Sequence, residues 1–466
     1  MPPQEQPKTG QEAPAPARIP DARETALKVL VKVEGSDFRA KDILDEALKR
    51  HAYPEEESGL ATELVYGTLR QLGRLDYYLG KTCHRPLEAL SPWVRNLLRL
   101  ALYQILELSR VPESAAVDTA VELSKSYGHE GVVKFVNGVL RELCRLKHED
   151  KLPALPLDPV AAMAVSHSHP LWLARRWVET YGFEKARDMM AAGNQAPPLT
   201  LRANLGRIRR DELAGRLHQA GYHVEACRYS PYGLRVKGGG DVRRMPGFNE
   251  GHFFVQDESS QMLGLLMAPK QGWQIVDACA APGGKATHLA ELTGRGGAVW
   301  AFDRKAPALE KLSLSARRLG LPQLRHEVRD AFYPRQEMLG KMDGVLVDAP
   351  CSGLGVLRRR VEARWQLKPE AVAQHAERQA GLLAASSRYL KPGGVLVYAT
   401  CTLAEEENED VVRRFLKETP GFAFERASQF LSEDLVTSEG FFRTWPGQDN
   451  MDGFFAARMR KTGEEG

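Results

Sequence analysis

The chain has 466 residues, of which 43% are hydrophobic and 27% are charged, and its formal net charge is +4. This length predicts about three domains, and the composition is typical of folded globular proteins and not of disordered or fibrous ones. The near balance of charge excludes a protein that binds nucleic acid through bulk charge alone, but it allows a local basic surface.

Three further features limit the compartment and the chemistry. No apolar run approaches the ~18 residues that a membrane span needs, and the N-terminus lacks the apolar core of a signal peptide. The six cysteines include no CxxC pair, so they indicate neither a disulfide framework nor a zinc site. We expect a cytoplasmic protein without bound metal, whose thiols stay reduced and available as nucleophiles.

The first 147 residues divide into a tail and a helical region. Residues 1–21 hold six of the 28 prolines and almost no large apolar side chain, which predicts a disordered tail. Residues 22–147 show helical periodicity, and the clearest helix begins at Ser91, a good N-cap, with Pro92 in its first turn. Its apolar residues recur at helical spacing: Val94, Leu97, Leu98, Ala101, Ile105 and Leu108. Several such stripes joined by short loops predict an all-α bundle.

The helical region also carries a family likeness. The segments 94–106, 115–117 and 135–141 together resemble a NusB-type RNA-binding domain, and the resemblance covers most of residues 22–147. It implies contact with RNA. The alternative is a bundle that only packs against protein, because a fold alone does not establish a function.

Residues 148–251 mix helical and strand patterns, and we predict a helical linker followed by a small α+β RNA-binding subdomain. The segment 197–204 alternates like a strand. A group of arginines lies nearby in sequence: Arg202, Arg207, Arg209, Arg210, Arg243 and Arg244. Such a group is either a solvated surface or a set of contacts to the RNA backbone. The His167 and His169 pair lacks a third ligand at suitable spacing, so it does not predict a metal site.

Residues 252–466 alternate β-rich runs with longer helical segments, which predicts an α/β domain with a mostly parallel, doubly wound sheet. The predicted strands are 274–277, 298–303, 324–328, 344–348 and 395–400. Ligands in such sheets bind in the crevice beyond the carboxyl ends of the strands. The motifs that carry chemistry follow these ends.

The first three strand ends form a candidate cofactor site. The motif 277–285, Asp-Ala-Cys-Ala-Ala-Pro-Gly-Gly-Lys, follows the first strand, and Gly283 and Gly284 let the backbone approach a ligand at a helix N-terminus. Asp303 ends the second strand, where an acid can accept hydrogen bonds from ribose hydroxyls. Asp330 follows the third. The alternative for these aspartates is simple capping of helices or turns.

The fourth and fifth strands each lead to a cysteine. One runs into Asp348-Ala-Pro-Cys351 and the other into Thr400-Cys401. A single buried cysteine is usually a small hydrophobic residue, but two at neighbouring strand ends indicate thiol chemistry. The Glu-Asn-Val motif of DNA cytosine methyltransferases is absent, since Glu407-Asn408 is followed by glutamate.

The two cysteine motifs and the cofactor motif, with segments 254–261 and 452–456, resemble the RNA 5-methylcytosine methyltransferases over about residues 150–460. This resemblance implies a class I, Rossmann-like fold and S-adenosylmethionine as the methyl donor. It implies that Asp303 binds the ribose, that Asp330 lies near the adenine, and that Asp348 also borders the cofactor. It assigns the methionine and sulfonium region to one loop: Cys279, Ala280, Ala281, Pro282, Gly283, Gly284 and Lys285.

The same resemblance makes Cys401 the nucleophile and Cys351 the residue that assists product release. Cytosine C5 is too weak a nucleophile to take a methyl group directly, and a thiolate that adds to C6 activates it. Asp348 is placed to protonate or hydrogen-bond N3 during this addition, and Lys285 could lower the pKa of the thiol.

Four arginines that follow the Pro-Cys motif, and Arg202 from the earlier basic group, are candidates for binding the substrate. We predict that they contact RNA phosphates: Arg202, Arg358, Arg359, Arg360 and Arg364. The target base must leave its stack to reach the thiols, which favours a single-stranded or loop cytosine.

A NusB-like region joined to an RNA cytosine methyltransferase resembles one bacterial subfamily, the small-subunit ribosomal RNA methyltransferases B. That resemblance implies methylation of one cytosine of 16S ribosomal RNA, either as naked RNA or within a partial ribosomal particle. The sequence shows no signal for oligomers, so we expect a monomer. Three alternatives remain open. They are the same chemistry on transfer RNA or another ribosomal cytosine, a non-catalytic RNA-binding or antitermination factor, and DNA methylation.

Overall fold

The computed structural model describes residues 21–36, 38–50, 53–238 and 240–463. The chain forms two compact units, Met1–Ala154 and Leu155–Gly466. The predicted disordered tail lies outside the described residues except for Asp21, whose carboxylate accepts a hydrogen bond from the Glu24 N–H and caps the first helix. In the described part of the chain, no helix has the length and apolarity that crossing a membrane requires.

The first unit is helical, as predicted. Its α-helices are α1 (Ala22–Glu34), α2 (Ala40–Arg50), α3 (Glu55–Arg70), α4 (Leu72–Thr82), α5 (Pro92–Glu107), α6 (Glu113–Tyr127) and α7 (Glu130–His148). The Ser91 hydroxyl accepts a hydrogen bond from the Val94 N–H, which confirms the predicted start of α5. Helix α5 lies at the centre and packs against α1, α3, α4, α6 and α7. Its buried Arg99 is neutralised by Asp76 at 2.7 Å and by Glu34 at 2.8 Å.

The second unit begins with helices and a small antiparallel sheet. The elements are α8 (Pro159–Ser166), α9 (Leu171–Tyr181), α10 (Phe183–Gly193), β1 (Leu199–Ala203), α11 (Arg210–Gln219), β2 (His223–Ala226), β3 (Gly233–Lys237) and β4 (Phe253–Val255). The strand order is β2-β3-β1-β4. The strand expected over residues 197–204 is therefore confirmed as β1.

The rest of this unit is the predicted doubly wound domain. Its helices are α12 (Glu258–Met267), α13 (Gly284–Thr293), α14 (Ala306–Leu319), α15 (Ala363–Gln366), α16 (Glu370–Ser387) and α17 (Glu409–Glu418). Its strands are β5 (Gln274–Asp277), β6 (Ala298–Asp303), β7 (Leu324–Val328), β8 (Met342–Asp348), β9 (Leu390–Thr400), β10 (Phe422–Glu425), β11 (Phe442–Thr444) and β12 (Phe454–Lys461).

The large sheet has the order β10-β12-β9-β8-β5-β6-β7, and β11 pairs with β12. Strands β5 to β9 are parallel to their neighbours within this group, whereas β12 runs antiparallel to β9. All five predicted strands are present, but β8 and β9 begin earlier than expected. The predicted domain boundaries at 147 and 251 stay predictions, and both sheets lie within one compact unit.

The core lies on both faces of this sheet, and β9 shows why the strand forms there. Val395, Val397 and Ala399 pack into one hydrophobic cluster. Leu396 and Tyr398 pack into the other. A strand buried on both faces needs a continuous apolar run, and β9 has one. The strand order reverses between β5 and β8, so their carboxyl ends border the crevice where such sheets bind ligands.

Candidate active site

The predicted cofactor loop connects β5 to α13. Gly283 precedes the helix with φ of 109°, and a Cβ atom there would come within 2.8 Å of the Leu312 side chain. Only glycine fits both conditions. The Asp303 carboxylate accepts hydrogen bonds from the Ala281 N–H at 3.1 Å and from the Lys305 N–H at 2.9 Å. The end of β6 thus fixes the loop.

Asp330 lies two residues beyond β7. Its carboxylate accepts a hydrogen bond from the Phe332 N–H at 3.1 Å and lies 3.4 Å from the Arg304 guanidinium. It remains partly exposed at the same edge of the sheet as Asp303. Two carboxylates beside a glycine turn can accept hydrogen bonds from the hydroxyl and amino groups of a ligand. They therefore fit the predicted nucleoside cofactor.

The two cysteine motifs converge. Cys351 follows β8 and Cys401 follows β9, and their Sγ atoms lie 3.3 Å apart. The hydrogen bond from the Cys351 thiol lowers the pKa of Cys401, although burial opposes this shift. The same hydrogen bond, together with burial, raises the pKa of Cys351. The pair therefore favours a thiolate on Cys401 and a thiol on Cys351.

A partly buried ion pair lies beside the sulfurs. The Lys285 ammonium donates to the Asp348 carboxylate at 2.6 Å. Burial alone would lower the pKa of Lys285, but the Asp348 carboxylate and, to a smaller extent, Cys401 raise it overall. Lys285 stays charged, and its charge also lowers the pKa of Cys401. This arrangement brings an ammonium, a carboxylate and two thiols together at one sheet edge.

Asp277 is a member of this group that sequence reasoning left without a role. It ends β5 and is completely buried. Burial, followed by the nearby charge of Asp348, raises the pKa of Asp277 to about 8. A carboxyl group that titrates near neutral pH can hold a proton inside the site. Its position as the first residue of the cofactor motif could have identified Asp277 as a site residue from the sequence.

Three of the five arginines that we expected on RNA are buried against protein. Arg202 donates to Glu291 at 2.7 Å and to the Gly284 carbonyl at 2.7 Å. Arg358 donates to Asp452 at 2.6 Å. These side chains have no accessible surface to offer a phosphate, so the prediction for them is corrected.

Arg364 is corrected for the same reason. It is fully buried, and it donates to Asn194 at 2.7 Å and to the Gly193 carbonyl at 2.8 Å. Arg359 is partly exposed, but its guanidinium already donates to Asp257 at 2.8 Å and to Asp452 at 2.5 Å. Arg360 is also partly exposed, and its positive charge lowers the pKa of Cys401.

Arg202 gives a test of this correction. Arg202→Met removes the cation from a buried pair and leaves the Glu291 carboxylate without it, which should cost about 3–5 kcal/mol of unfolding free energy. Urea unfolding measures the loss, and Arg244→Met at an exposed position is the control. A variant that keeps its stability but loses RNA affinity would show that Arg202 contacts RNA after all.

Sequence reasoning also missed two pairs of buried polar residues. Asp257 and Asp452 hold the arginines that follow the Pro-Cys motif. Glu407 and Asn408 contact the two cysteine loops. The signal for Asp257 and Asp452 was their place in segments 254–261 and 452–456, which served only to identify the family. Glu407 and Asn408 were noted only as a departure from DNA methyltransferases.

Family models match the chain in three places. The model described as "16S rRNA methyltransferase RsmB/F" matches residues 264–460. The NusB family model matches residues 20–145. The ferredoxin-like domain of RsmF/B-like methyltransferases matches residues 169–243.

Individual proteins match over most of the length. "Probable ribosomal RNA small subunit methyltransferase B" of Bacillus subtilis (strain 168) is 36% identical, over 95% of this chain and 99% of its own. "Ribosomal RNA small subunit methyltransferase B" of Salmonella paratyphi B is 35% identical, over 87% of this chain and 91% of its own. The crystal structure of PH0851 superposes with a TM-score of 0.82 at 27% identity, over 94% of this chain and 98% of that one.

These similarities extend across both compact units and include the segment that carries both cysteines. They confirm the predicted fold class and the methyl donor, S-adenosylmethionine. The chain belongs to the RsmB/F family of 16S rRNA methyltransferases.

Proposed function

We propose that this protein methylates carbon 5 of a cytosine in 16S ribosomal RNA through a covalent bond between Cys401 and C6. The observation that carries the proposal is the convergence of the two thiols, 3.3 Å apart, next to the Lys285–Asp348 pair. Methyl transfer to an oxygen or an exocyclic nitrogen needs no thiol, whereas C5 of cytosine needs covalent activation.

The first step is addition to the base. The Cys401 thiolate forms a bond to C6, and the electrons of the C5–C6 double bond move toward C5 and the ring. For this step the Asp348 carboxyl must carry a proton, which it gives to N3; the transfer limits the negative charge on the ring and leaves Asp348 as a carboxylate beside Lys285. Lys285 keeps the Asp348 carboxylate in place and stabilises the thiolate before the attack.

The second step is transfer and release. S-adenosylmethionine supplies an electrophilic methyl group when it is bound. The residues that would hold it are the loop 279–285, with Asp303 at the ribose and Asp330 near the adenine. After C5 has taken the methyl group, its proton passes to a base, for which the Asp348 carboxylate is available once it has given its own proton to N3. The electrons of the C5–H bond restore the double bond, and the bond between C6 and Cys401 breaks to return the thiolate. Cys351 assists this release from its position 3.3 Å from the Cys401 sulfur.

The choice of RNA rests on the relatives and on the architecture. The curated relatives are described as ribosomal RNA small subunit methyltransferases. The NusB-like helical unit would supply one RNA-binding surface. Within the second unit, the small sheet and the partly exposed Arg360 would supply contacts of their own. Most of the affinity should then come from local contacts to phosphates, so it should fall with rising salt concentration.

Bisulfite sequencing of 16S ribosomal RNA tests the proposal. Cells without the gene should lack one 5-methylcytosine, and a plasmid copy should restore it while a Cys401→Ala copy should not. A methylated cytosine that is lost from transfer RNA instead would keep the chemistry but overturn the substrate. No change at any cytosine, with normal protein levels, would overturn the proposed reaction.

A further inference from the structure

The Glu407-Asn408 dipeptide lies between β9 and α17, and the proposed chemistry assigns it no role. Both side chains are completely buried, with 0% relative exposure. Burying a carboxylate is costly unless its oxygens are hydrogen-bonded, so the partners of Glu407 and Asn408 indicate what they do.

Glu407 accepts hydrogen bonds from the residue that follows each cysteine. The Ser352 N–H donates to one carboxylate oxygen at 2.9 Å, and the Thr402 hydroxyl donates to the other at 3.2 Å. The Ser352 hydroxyl also donates to Glu407, and it lies 2.7 Å from the Thr402 hydroxyl. Gln379 of α16 donates to the carboxylate at 2.9 Å. Glu407 thus joins both cysteine loops to a helix of the core.

Asn408 holds the two residues that flank Cys401. Its side-chain oxygen accepts from the Thr400 hydroxyl at 2.5 Å, and its side-chain nitrogen donates to the Thr402 carbonyl at 3.1 Å. The backbone on either side of the proposed nucleophile is therefore fixed by one amide group.

We infer that Glu407 and Asn408 are positioning residues that hold the Cys351 and Cys401 loops so that the two sulfurs stay in contact. They act through Ser352, Thr400 and Thr402 and touch no reacting atom. A fully hydrogen-bonded buried network is rigid, and reactive groups need such support, because a misplacement of about 1 Å can cost about 10²-fold in rate. The catalytic meaning of this clamp rests on the proposed function, but the clamp itself does not.

Glu407→Ala and Glu407→Gln separate positioning from charge. Alanine removes all four acceptor contacts. Glutamine keeps the shape: its oxygen can accept from Ser352 N–H and Gln379, while its amino group donates to hydroxyls that are free to rotate. If Glu407 positions the loops, glutamine should restore what alanine removes.

The direct readout is the rate at which diamide oxidises Cys351 and Cys401 to a disulfide in the full-length protein, followed by mass spectrometry of the linked peptides. Diamide takes up the two hydrogens of the thiols, and the assay needs neither RNA nor cofactor. We expect Glu407→Ala to slow this reaction on the order of tenfold, because the sulfurs no longer share one position. Glu407→Gln should stay within about twofold of the unaltered protein.

Two further variants distinguish a loss of positioning from a general loss of folding. Asn408→Ala should slow the oxidation independently, since it releases only the Cys401 loop. Glu409→Ala removes a neighbouring carboxylate that pairs with Arg443 at 2.5 Å and contacts neither cysteine loop. It should lower the melting temperature without changing the oxidation rate.

Methyl transfer gives the second readout. The kcat of Glu407→Ala should fall by about 10²-fold with little change in KM for RNA, and Glu407→Gln should recover most of it. An unchanged oxidation rate in both Glu407→Ala and Asn408→Ala would overturn the inference, as would a Glu407→Gln variant as impaired as alanine. If the oxidation rates behave as expected but the unaltered protein methylates no cytosine, the proposed function fails and the positioning role stands.

Discussion

Cys401→Ala is expected to abolish methyl transfer, and Cys351→Ala is expected to leave the protein covalently attached to its RNA. The first variant lacks the sulfur that adds to C6, so no activated C5 forms. The second can still form the adduct, because Cys401 is intact, but it lacks the group that assists release. Denaturing gel electrophoresis with labelled RNA shows the adduct directly.

The two thiols also predict a pH effect on this adduct. The hydrogen bond from Cys351 lowers the pKa of Cys401, so its loss in Cys351→Ala should raise that pKa. Adduct formation needs the thiolate. The pH at which the adduct forms at half its maximal rate in Cys351→Ala should therefore be higher than the corresponding pH for the first turnover of the unaltered protein. Cys227→Ala, at a buried thiol outside the site, is the matched control. An adduct that persists in Cys401→Ala would reverse the assignment of the two cysteines.

Asp348→Asn is expected to lower kcat by about 10²- to 10⁴-fold, the range for loss of a general acid–base group. The amide keeps the size of the side chain, but it cannot pass a proton to N3 and it weakens the contact with Lys285 at 2.6 Å. Single-turnover methylation measures the rate, and calorimetry with S-adenosylmethionine measures cofactor affinity. Loss of affinity with an unchanged rate would place Asp348 in cofactor binding alone.

Asp343→Asn is the control for this experiment. Asp343 lies in the same strand, β8, but near its opposite end, where it pairs with Lys391 at 2.5 Å and accepts from the Gln274 N–H at 2.8 Å. It is a carboxylate in an ion pair, as Asp348 is, and it lies away from the thiols. Its loss should affect stability more than rate, so the comparison separates the chemistry from the folding.

The parallel strands could be predicted because burial on both faces requires continuous apolar runs that are visible in the sequence. The antiparallel strand β12 was not predicted. Its run Phe454–Lys461 contains Arg458, which looks like a surface residue. In the structure Arg458 is buried and donates to Glu425 at 2.6 Å and to the Leu266 carbonyl at 2.7 Å. Partners this distant along the chain cannot be found from local patterning.

In the candidate site, too, some features could be predicted from local sequence and others depend on residues that are distant along the chain. The thiols and Asp348 follow strand ends, so the topology of a parallel sheet predicted that they would meet. The arginines were misjudged because a positive charge does not reveal its partner: Arg202 and Glu291 are 89 residues apart. Glu407 was missed because a run of glutamates is typical of a solvated surface, and only tertiary packing draws this one inward.

The Arg202–Glu291 pair has a consequence for how the second unit can be divided. Arg202 belongs to β1 of the small sheet, while Glu291 and the Gly284 carbonyl belong to the helix that starts at the cofactor loop. A fragment trimmed to begin near residue 252 would lose this arginine, and with it the ion pair to Glu291 and the hydrogen bond to the Gly284 carbonyl. The small sheet thus braces the helix that begins at the cofactor loop, and the two sheets of this unit depend on each other for their structure.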